Sequence, residues 1–195
     1  PKYSLTLDKE MTAYTGLVTL VQLSAAILGD KNRMSYDAGI SYIKNVLEAT
    51  KTLLKNPNDL DARGIIMMGA SLSTSSRMGI GKEEAYAYDI YELEFLPEKL
   101  FGSSYRRSLT SIFPRFLEAM GKRHAEDVGK YYLDVFGFDS SIEESSRKLV
   151  ALFSDFGVDM YYDGIISREQ VGSIPCDTEL DENEIFEMIN RLIRK

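Results

Sequence analysis

Asn58-Asp-Leu-Asp-Ala-Arg-Gly-Ile-Ile-Met-Met-Gly-Ala-Ser-Leu72 and Ser104-Tyr-Arg-Arg-Ser-Leu-Thr-Ser-Ile-Phe-Pro-Arg-Phe-Leu-Glu-Ala-Met120 are the two stretches that decide the fold. In the first, an Asp/Asn-rich start runs into apolar residues at Leu60, Ile65, Met68 and Leu72, near helical spacing. In the second, Leu109, Ile112, Phe113, Phe116, Leu117 and Met120 step by three, one, three, one and three, which makes one continuous helix face.

Helical punctuation extends in both directions from these two segments. Pro1 to Asp8 alternates weakly and reads as an extended entry. Met11 to Leu28 reads as an apolar, buried helix with Gly29 as its C-terminal stop. Ser35 is placed to cap a helix from Tyr36 to about Lys55, with Ile40, Ile43, Val46, Leu47 and Leu53 on one face. Asn56-Pro57-Asn58 ends it, and the next helix runs from Leu60 to Ser76. Met78 to Gly81 breaks the pattern, a helix from Lys82 to Glu94 follows, and Pro97 to Ser103 reads as a loop. Beyond Met120 come a helix from about Lys122 to Phe136 stopped by Gly137, and one opened by Ser141-Ile-Glu-Glu144 and ended by Gly157. Ser167 and Asp181 start two short closing helices. No segment alternates at period two for long enough to build a sheet. The expectation is an all-α, single multi-helix domain over residues 1–195, with about eight or nine helices.

Composition narrows the function. The chain of 195 residues is 44% apolar and 27% charged, ordinary for a globular protein, and its net charge is −7. With no Lys/Arg run longer than two, nothing would neutralise a phosphate backbone, so nucleic acid is excluded as a partner. No apolar run reaches the roughly 18 residues of a membrane span, and the single cysteine, Cys176, can form no internal disulfide. The expected setting is cytoplasmic. The start at Pro1 rather than Met reads as a domain cut from something longer, and a homo-oligomer is compatible with the sequence.

The order of features resembles the helical C-terminal domain of the iron-containing (group III) alcohol dehydrogenases, a dehydroquinate synthase-like fold. The resemblance rests on Pro1-Lys-x-Ser-x-x-x-Asp8 with Thr12 and Thr15, on Asn56-Pro-Asn-Asp-Leu-Asp-Ala-Arg63, on Ser108-Leu-Thr-Ser-Ile-Phe-Pro114, and on the closing pair of short helices between Tyr161 and Ile193. It implies a divalent iron or zinc, held by an Asp and a His four residues apart on one helix and by two further His. The metal polarises an alcohol or aldehyde oxygen while NAD(P) takes or gives the hydride. The nucleotide-binding domain that such a protein needs is absent from this chain, so a partner domain upstream of Pro1, or a separate protein partner, is expected.

Carried over position by position, the ligands fall on Ala26 and Asp30, on Tyr91 (or Asp89 if the loop holds a two-residue insertion), and on Tyr105. The chain has a single histidine, His124, so no shift of register restores the set. Alanine cannot ligate, and a phenol with pKa near 10 is a poor ligand. The metal site therefore reads as dismantled. No metal or cofactor is expected for this chain, and Tyr105 and Tyr91 remain weak candidates for a proton donor to a carbonyl.

Other groups have a plain reading beside a sharper one. Gly79-Ile-Gly81 precedes a helix but lacks a third glycine and a preceding strand, so it reads as an interhelical turn rather than a phosphate loop. Asp89, Glu92 and Glu94, with Asp30, hold the oxygen donors of a hard-cation site, yet in so acidic a chain they read first as a solvated helix face. His124 lies among charged residues and reads as exposed and inert. Arg106-Arg107 has the choice between an anion and the many carboxylates, and Arg63 reads as one side of a structural ion pair. Tyr131-Tyr132 and Tyr161-Tyr162 read as half-buried packing. Two functions follow: a dehydrogenase-like helical domain, inactive by itself, that binds or assembles with a partner, or the substrate-side fragment of an NAD(P)-dependent oxidoreductase.

Overall fold

The computed structural model describes residues 1–75, 78 and 86–194. Among these the regular structure is helical, with ten α-helices, two 3₁₀ segments and no strand. The chain forms two compact units, one of residues 1–87 with 155–158 and the other of residues 88–154 with 159–195.

The first unit is a three-helix assembly of α1 (Lys9–Ile27), α2 (Arg33–Lys55) and α3 (Leu60–Ser73), each packed on the other two. Each helix starts where a short polar side chain satisfies an amide of the first turn. Asp8 accepts from the Met11 amide, Asn32 from Ser35 and Asp59 from Ala62. Helix α1 is apolar on every side, and Leu17, Leu20, Val21, Leu23 and Ile27 are fully buried. The helices come close because glycines lie at the crossings. A Cβ on Gly16 would stand 2.1 Å from the Thr50 hydroxyl oxygen, one on Gly39 2.3 Å from Ile27 Cγ2, and one on Gly69 2.6 Å from Val46 Cγ2. Ala49, Leu53, Ala62 and Ile66 seal the α2–α3 contact.

In the second unit, α6 (Tyr105–Met120) is the central element, and α4 (Ile90–Leu93), α5 (Phe95–Phe101), α7 (Ala125–Phe136) and α10 (Glu182–Asn190) pack against it. Its residues 108–114 are all buried. Pro114 sits mid-helix without an amide to donate, and the Ser146 hydroxyl of α8 (Ile142–Asp155) donates to the Pro114 carbonyl at 2.9 Å. The segment after α8 returns to α6 through Tyr162. Its hydroxyl bonds Ser111 at 2.9 Å and Ser103 at 3.0 Å, its ring stacks on Phe101 at 4.6 Å, and the Arg107 guanidinium lies 4.5 Å over it. Backbone bonds from Tyr162 N to Leu192 O and from Arg194 N to Tyr162 O form a parallel bridge with Ile193. The short α9 (Arg168–Gly172) and α10 each begin with a reciprocal capping box, Ser167 with Gln170 and Asp181 with Glu184.

The all-α expectation is met, and several boundaries move. The entry is a 3₁₀ segment, Lys2–Thr6, rather than extended, because its own short-range bonds (Ser4 N to Pro1 O, Leu7 N to Ser4 O) are satisfied and no strand is there to pair with. Asn32 caps α2 in place of Ser35. The described end of α3 is Ser73, and the Gly79 to Gly81 turn and the Lys82 helix start lie outside the described residues. What is described of that second helix is a 3₁₀ segment Tyr86–Asp89 followed by α4. Pro97 to Ser103 is no loop. Phe95–Phe101 is helical with Pro97 in its first turn, where a missing amide costs nothing, and Gly102 ends it in the left-handed conformation at φ 63°. Helix α7 starts at Ala125 because residues 121–124 form a turn. The face of α3 turned inward is Ala62, Arg63, Ile66 and Gly69, not the bulkier Leu60, Ile65 and Met68, which stay 39%, 39% and 62% exposed. Gly69 lets α3 approach α2 closely, a Cβ there standing 2.6 Å from Val46 Cγ2, and that crossing sets which face turns inward.

Candidate functional site

The positions carried over from the resemblance divide between the two units. Ala26 lies in the last turn of α1, and α1 ends at Ile27. The chain then turns through Gly29 at φ 81°, so Asp30 stands beyond the helix and not one turn along the face that bears Ala26. An i, i+4 ligand pair cannot form there. Asp30 is only 7% exposed. Its Oδ1 accepts from the Asn32 amide at 2.8 Å and its Oδ2 is buried without a hydrogen-bond partner, so it serves the α1–α2 turn. The same unit holds a polar contact that periodicity gave no means to find, the Ser73 hydroxyl at 3.1 Å from Gln22 Oε1, which ties α3 to α1.

The second unit brings Tyr91 and Tyr105 together. Burial, then the neighbouring Tyr105 and Tyr88 phenols, push the Tyr91 phenol far above its ordinary value, so it stays a neutral hydroxyl. Tyr88 stacks beside Tyr91 with ring centroids 6.3 Å apart. Asp89, the alternative position, accepts the Glu179 amide at its Oδ2 at 2.9 Å and so fastens the segment before α10. Glu92 is exposed, whereas Glu94 departs from the solvated face expected of it: it is 3% exposed and its Oε2 is buried without a partner. Burial, reinforced by Glu98, pushes the Glu94 carboxyl up to about 7. Its backbone keeps helical dihedrals and its amide donates to the Ile90 carbonyl at 3.0 Å, so Glu94 falls on the buried stripe of Ile90, Leu93 and Pro97.

The remaining candidates acquire structural partners. His124 is not isolated, since its Nε2 lies 2.9 Å from Glu179 Oε2. Arg107 bonds Asp159 at 2.7 Å and the Tyr161 carbonyl. Arg63 donates from Nε to the Pro57 carbonyl at 2.9 Å, a backbone acceptor in place of the expected carboxylate. Tyr131 and Tyr132 are fully buried rather than half-buried, as is Tyr162, while Tyr161 is partly exposed. Burial pushes the half-buried Cys176 thiol up, which leaves it a weak nucleophile.

Iron or zinc needs three or four converging donors. Ala26 offers none, Asp89 is engaged by a backbone amide, and the Tyr91 phenol resists ionisation. Among the described residues no group of three or more His, Cys, Asp or Glu is placed to hold a metal ion. The described residues do not fit the metal that the resemblance implies. No described helix is long and apolar enough to cross a membrane.

No family model matches the sequence, and no curated protein matches it. Solved structures do. The chain superposes on an NADH-dependent butanol dehydrogenase A from Thermotoga maritima with TM-score 0.81 at 15% identity, covering 97% of this chain and 54% of that one. It superposes on a maleylacetate reductase from Agrobacterium tumefaciens with TM-score 0.73 at 14% identity, over 97% and 54%. On an iron-containing alcohol dehydrogenase from Corynebacterium glutamicum the values are 0.67 and 14%, over 98% and 55%. The chain thus has the fold of about half of an iron-containing alcohol dehydrogenase, and it spans about half the length of the structures it matches.

Proposed function

We propose that this protein is a dehydrogenase-like helical domain with a degenerate metal site, inactive by itself, that works by binding a protein partner or by serving as a piece of an assembly. The observation that carries this reading is chemical. The positions that would supply a metal ligand set hold Ala26, a carboxylate committed to a turn at Asp30, and the neutral phenol of Tyr91. A Lewis-acid role needs donors that converge, and none of these three does the work of a histidine.

A second reading has its own observation. Coverage of 97% of this chain but 54% of the butanol dehydrogenase is what the substrate-side half of a two-domain NAD(P)-dependent oxidoreductase would give, with its cofactor domain preceding Pro1. In that reading Tyr105 or Tyr91 donates a proton to a carbonyl.

Metal content of protein purified without air, followed by thermal melting with added iron, zinc and nicotinamide cofactor, tests the first reading. A ligand that binds only the native state at a hundredfold excess over its dissociation constant adds about 2.7 kcal/mol of stability, a readily measured shift. The expected result is no stoichiometric metal and no shift. About one iron or zinc per chain, lost in Asp30→Ala or Tyr105→Ala, would overturn it. The reading frame upstream of Pro1 tests the second reading, which a strand followed by a glycine-rich turn would favour.

A further inference from the structure

We propose that the outer face of α3 is a self-association surface, on which a second copy of this chain packs its own α3 antiparallel across a two-fold axis near Met67 and Met68. The inference deepens the assembly reading above, on which it rests, by naming the partner as another copy of the same molecule. It starts from how the residues of α3 divide around the helix. Ala62, Arg63, Ile66 and Gly69 turn inward in the packing with α1 and α2. Leu60, Ile65, Met67 and Met68 point the other way, Met67 at 49% and Met68 at 62% exposure. From Leu60 to Ser73 that outer face bears one charged side chain, Asp61, while Gly64 and Ser71 are small and Leu72 is half-buried.

Spacing makes this a continuous surface. Positions 60, 64, 67 and 71 step by four, three and four, and so do 61, 65, 68 and 72, so two rows run side by side along the helix. A helix that only covers a core turns polar and charged residues outward. Here the outward rows hold two methionines, an isoleucine and a leucine, and the flexible methionine thioether adapts to an uneven partner surface.

Charge and size select the occupant. Two copies of a chain of net charge −7 repel where charged surfaces meet, so they come together through a face that is nearly free of charge. Antiparallel pairing about Met67 and Met68 holds the two Asp61 carboxylates about 20 Å apart, beyond the screening length of about 8 Å in physiological salt. A parallel pairing would bring them face to face. The helix dipoles also favour the antiparallel arrangement. Helix α3 has 14 residues and is about 21 Å long, and such a face supplies only part of the roughly 800 Å² per partner of a standard interface. The entry segment Lys2–Thr6 extends it. Pro1 Cγ lies 3.8 Å from where a Cβ on Gly64 would stand, and the segment buries none of its residues, Tyr3 being 98% exposed. In the antiparallel pair each copy's entry segment lies beside the C-terminal half of the other's α3. An interface of this extent makes a reversible dimer rather than a permanent one.

Sedimentation equilibrium of the full chain from about 1 to 500 µM tests this. The mass is expected to rise with concentration from that of one chain toward that of two. Met68→Lys sets one ammonium from each copy at the axis and is expected to raise the dissociation constant at least about a hundredfold. Ile165→Lys, at a 95% exposed side chain of the other unit, is expected to leave it unchanged. Asp61→Asn is expected to change it by less than about threefold, because the two carboxylates stand beyond the screening length. A single-chain mass at every concentration, a dimer that survives Met68→Lys, or one that Ile165→Lys disrupts equally, overturns the proposal. So does a tightening of about tenfold or more in Asp61→Asn, which would mean that the carboxylates face each other. If Met68→Lys does not fold, Met67→Lys is read in the same way. One iron or zinc per chain in a protein that still dimerises through α3 overturns the inactivity proposed above and leaves this interface standing. A single-chain mass without metal does the reverse.

Discussion

The two units are held together by different physics. In the first, α1, α2 and α3 meet at Gly16, Gly39 and Gly69, and nothing but the absence of a side chain lets Thr50, Ile27 and Val46 occupy the space. In the second, the closing segments are tied to the rest of the unit by polar links: Arg107 to Asp159, Arg123 to Glu184, Arg191 to Glu118, and the Tyr162 hydroxyl to Ser111 and Ser103. Shape complementarity is indifferent to salt and pH, whereas charge pairs answer to both. The comparison teaches that one chain can keep a rigid crossing in one place and a condition-sensitive closure in another.

Four substitutions would break or sharpen that contrast. The largest effect is expected from Gly16→Val, whose Cβ alone would lie 2.1 Å from the Thr50 hydroxyl oxygen. A loss of about 3 kcal/mol or more in chemical denaturation, insensitive to salt, is predicted, and partial recovery on adding Thr50→Ala would show that the crossing is the cause. Tyr162→Phe removes two hydroxyl bonds while keeping the ring, so about 2 kcal/mol should be lost. An unchanged melting temperature would mean that the ring stack on Phe101 does all the holding.

Glu94→Gln should act in the opposite sense. The folded carboxyl is raised, so its stabilising neutral form is lost as pH climbs. The amide is expected to be more stable than the acid by about 2 kcal/mol at pH 8 and equal to it near pH 4. Equal stability across this range would refute the buried-acid account. Smallest of all, Arg123→Ala breaks a partly exposed pair with Glu184 and should cost about 0.5 kcal/mol, and less in high salt.

What the sequence disclosed and what it withheld divide along the same line. The face of α6 is legible residue by residue, because Leu109, Ile112, Phe113, Phe116 and Leu117 are large, regularly spaced and all fully buried. Stops and starts are equally plain where a local bond makes them: Gly137 at φ 70°, the Ser167 and Asp181 capping boxes. Helix α3 is harder, since of its packing face of Ala62, Arg63, Ile66 and Gly69 only Ile66 carries much weight in an apolar periodicity. Helix α5 was hidden by Pro97, whose ordinary meaning as a breaker fails in a first turn. The candidate site was least legible of all. That histidines are missing is plain in composition, yet the end of α1 at Ile27, which sets Asp30 off the helix, is a product of the turn at Gly29 that spacing does not encode, and the burial of Glu94 beside Ile90, Leu93 and Pro97 is masked by its charge.

The small parallel pairing of Tyr162 with Ile193 sets how the second unit would bear mechanical load. Tension applied at the end of the chain reaches the backbone bonds from Tyr162 to Leu192 and from Arg194 to Tyr162 before it reaches α10. Arg194 grips Asp159 alongside them, and Asp159 is gripped in turn by Arg107 of α6. The pull is thereby passed from Leu192, Ile193 and Arg194 to the central helix and shared among bonds that must yield together.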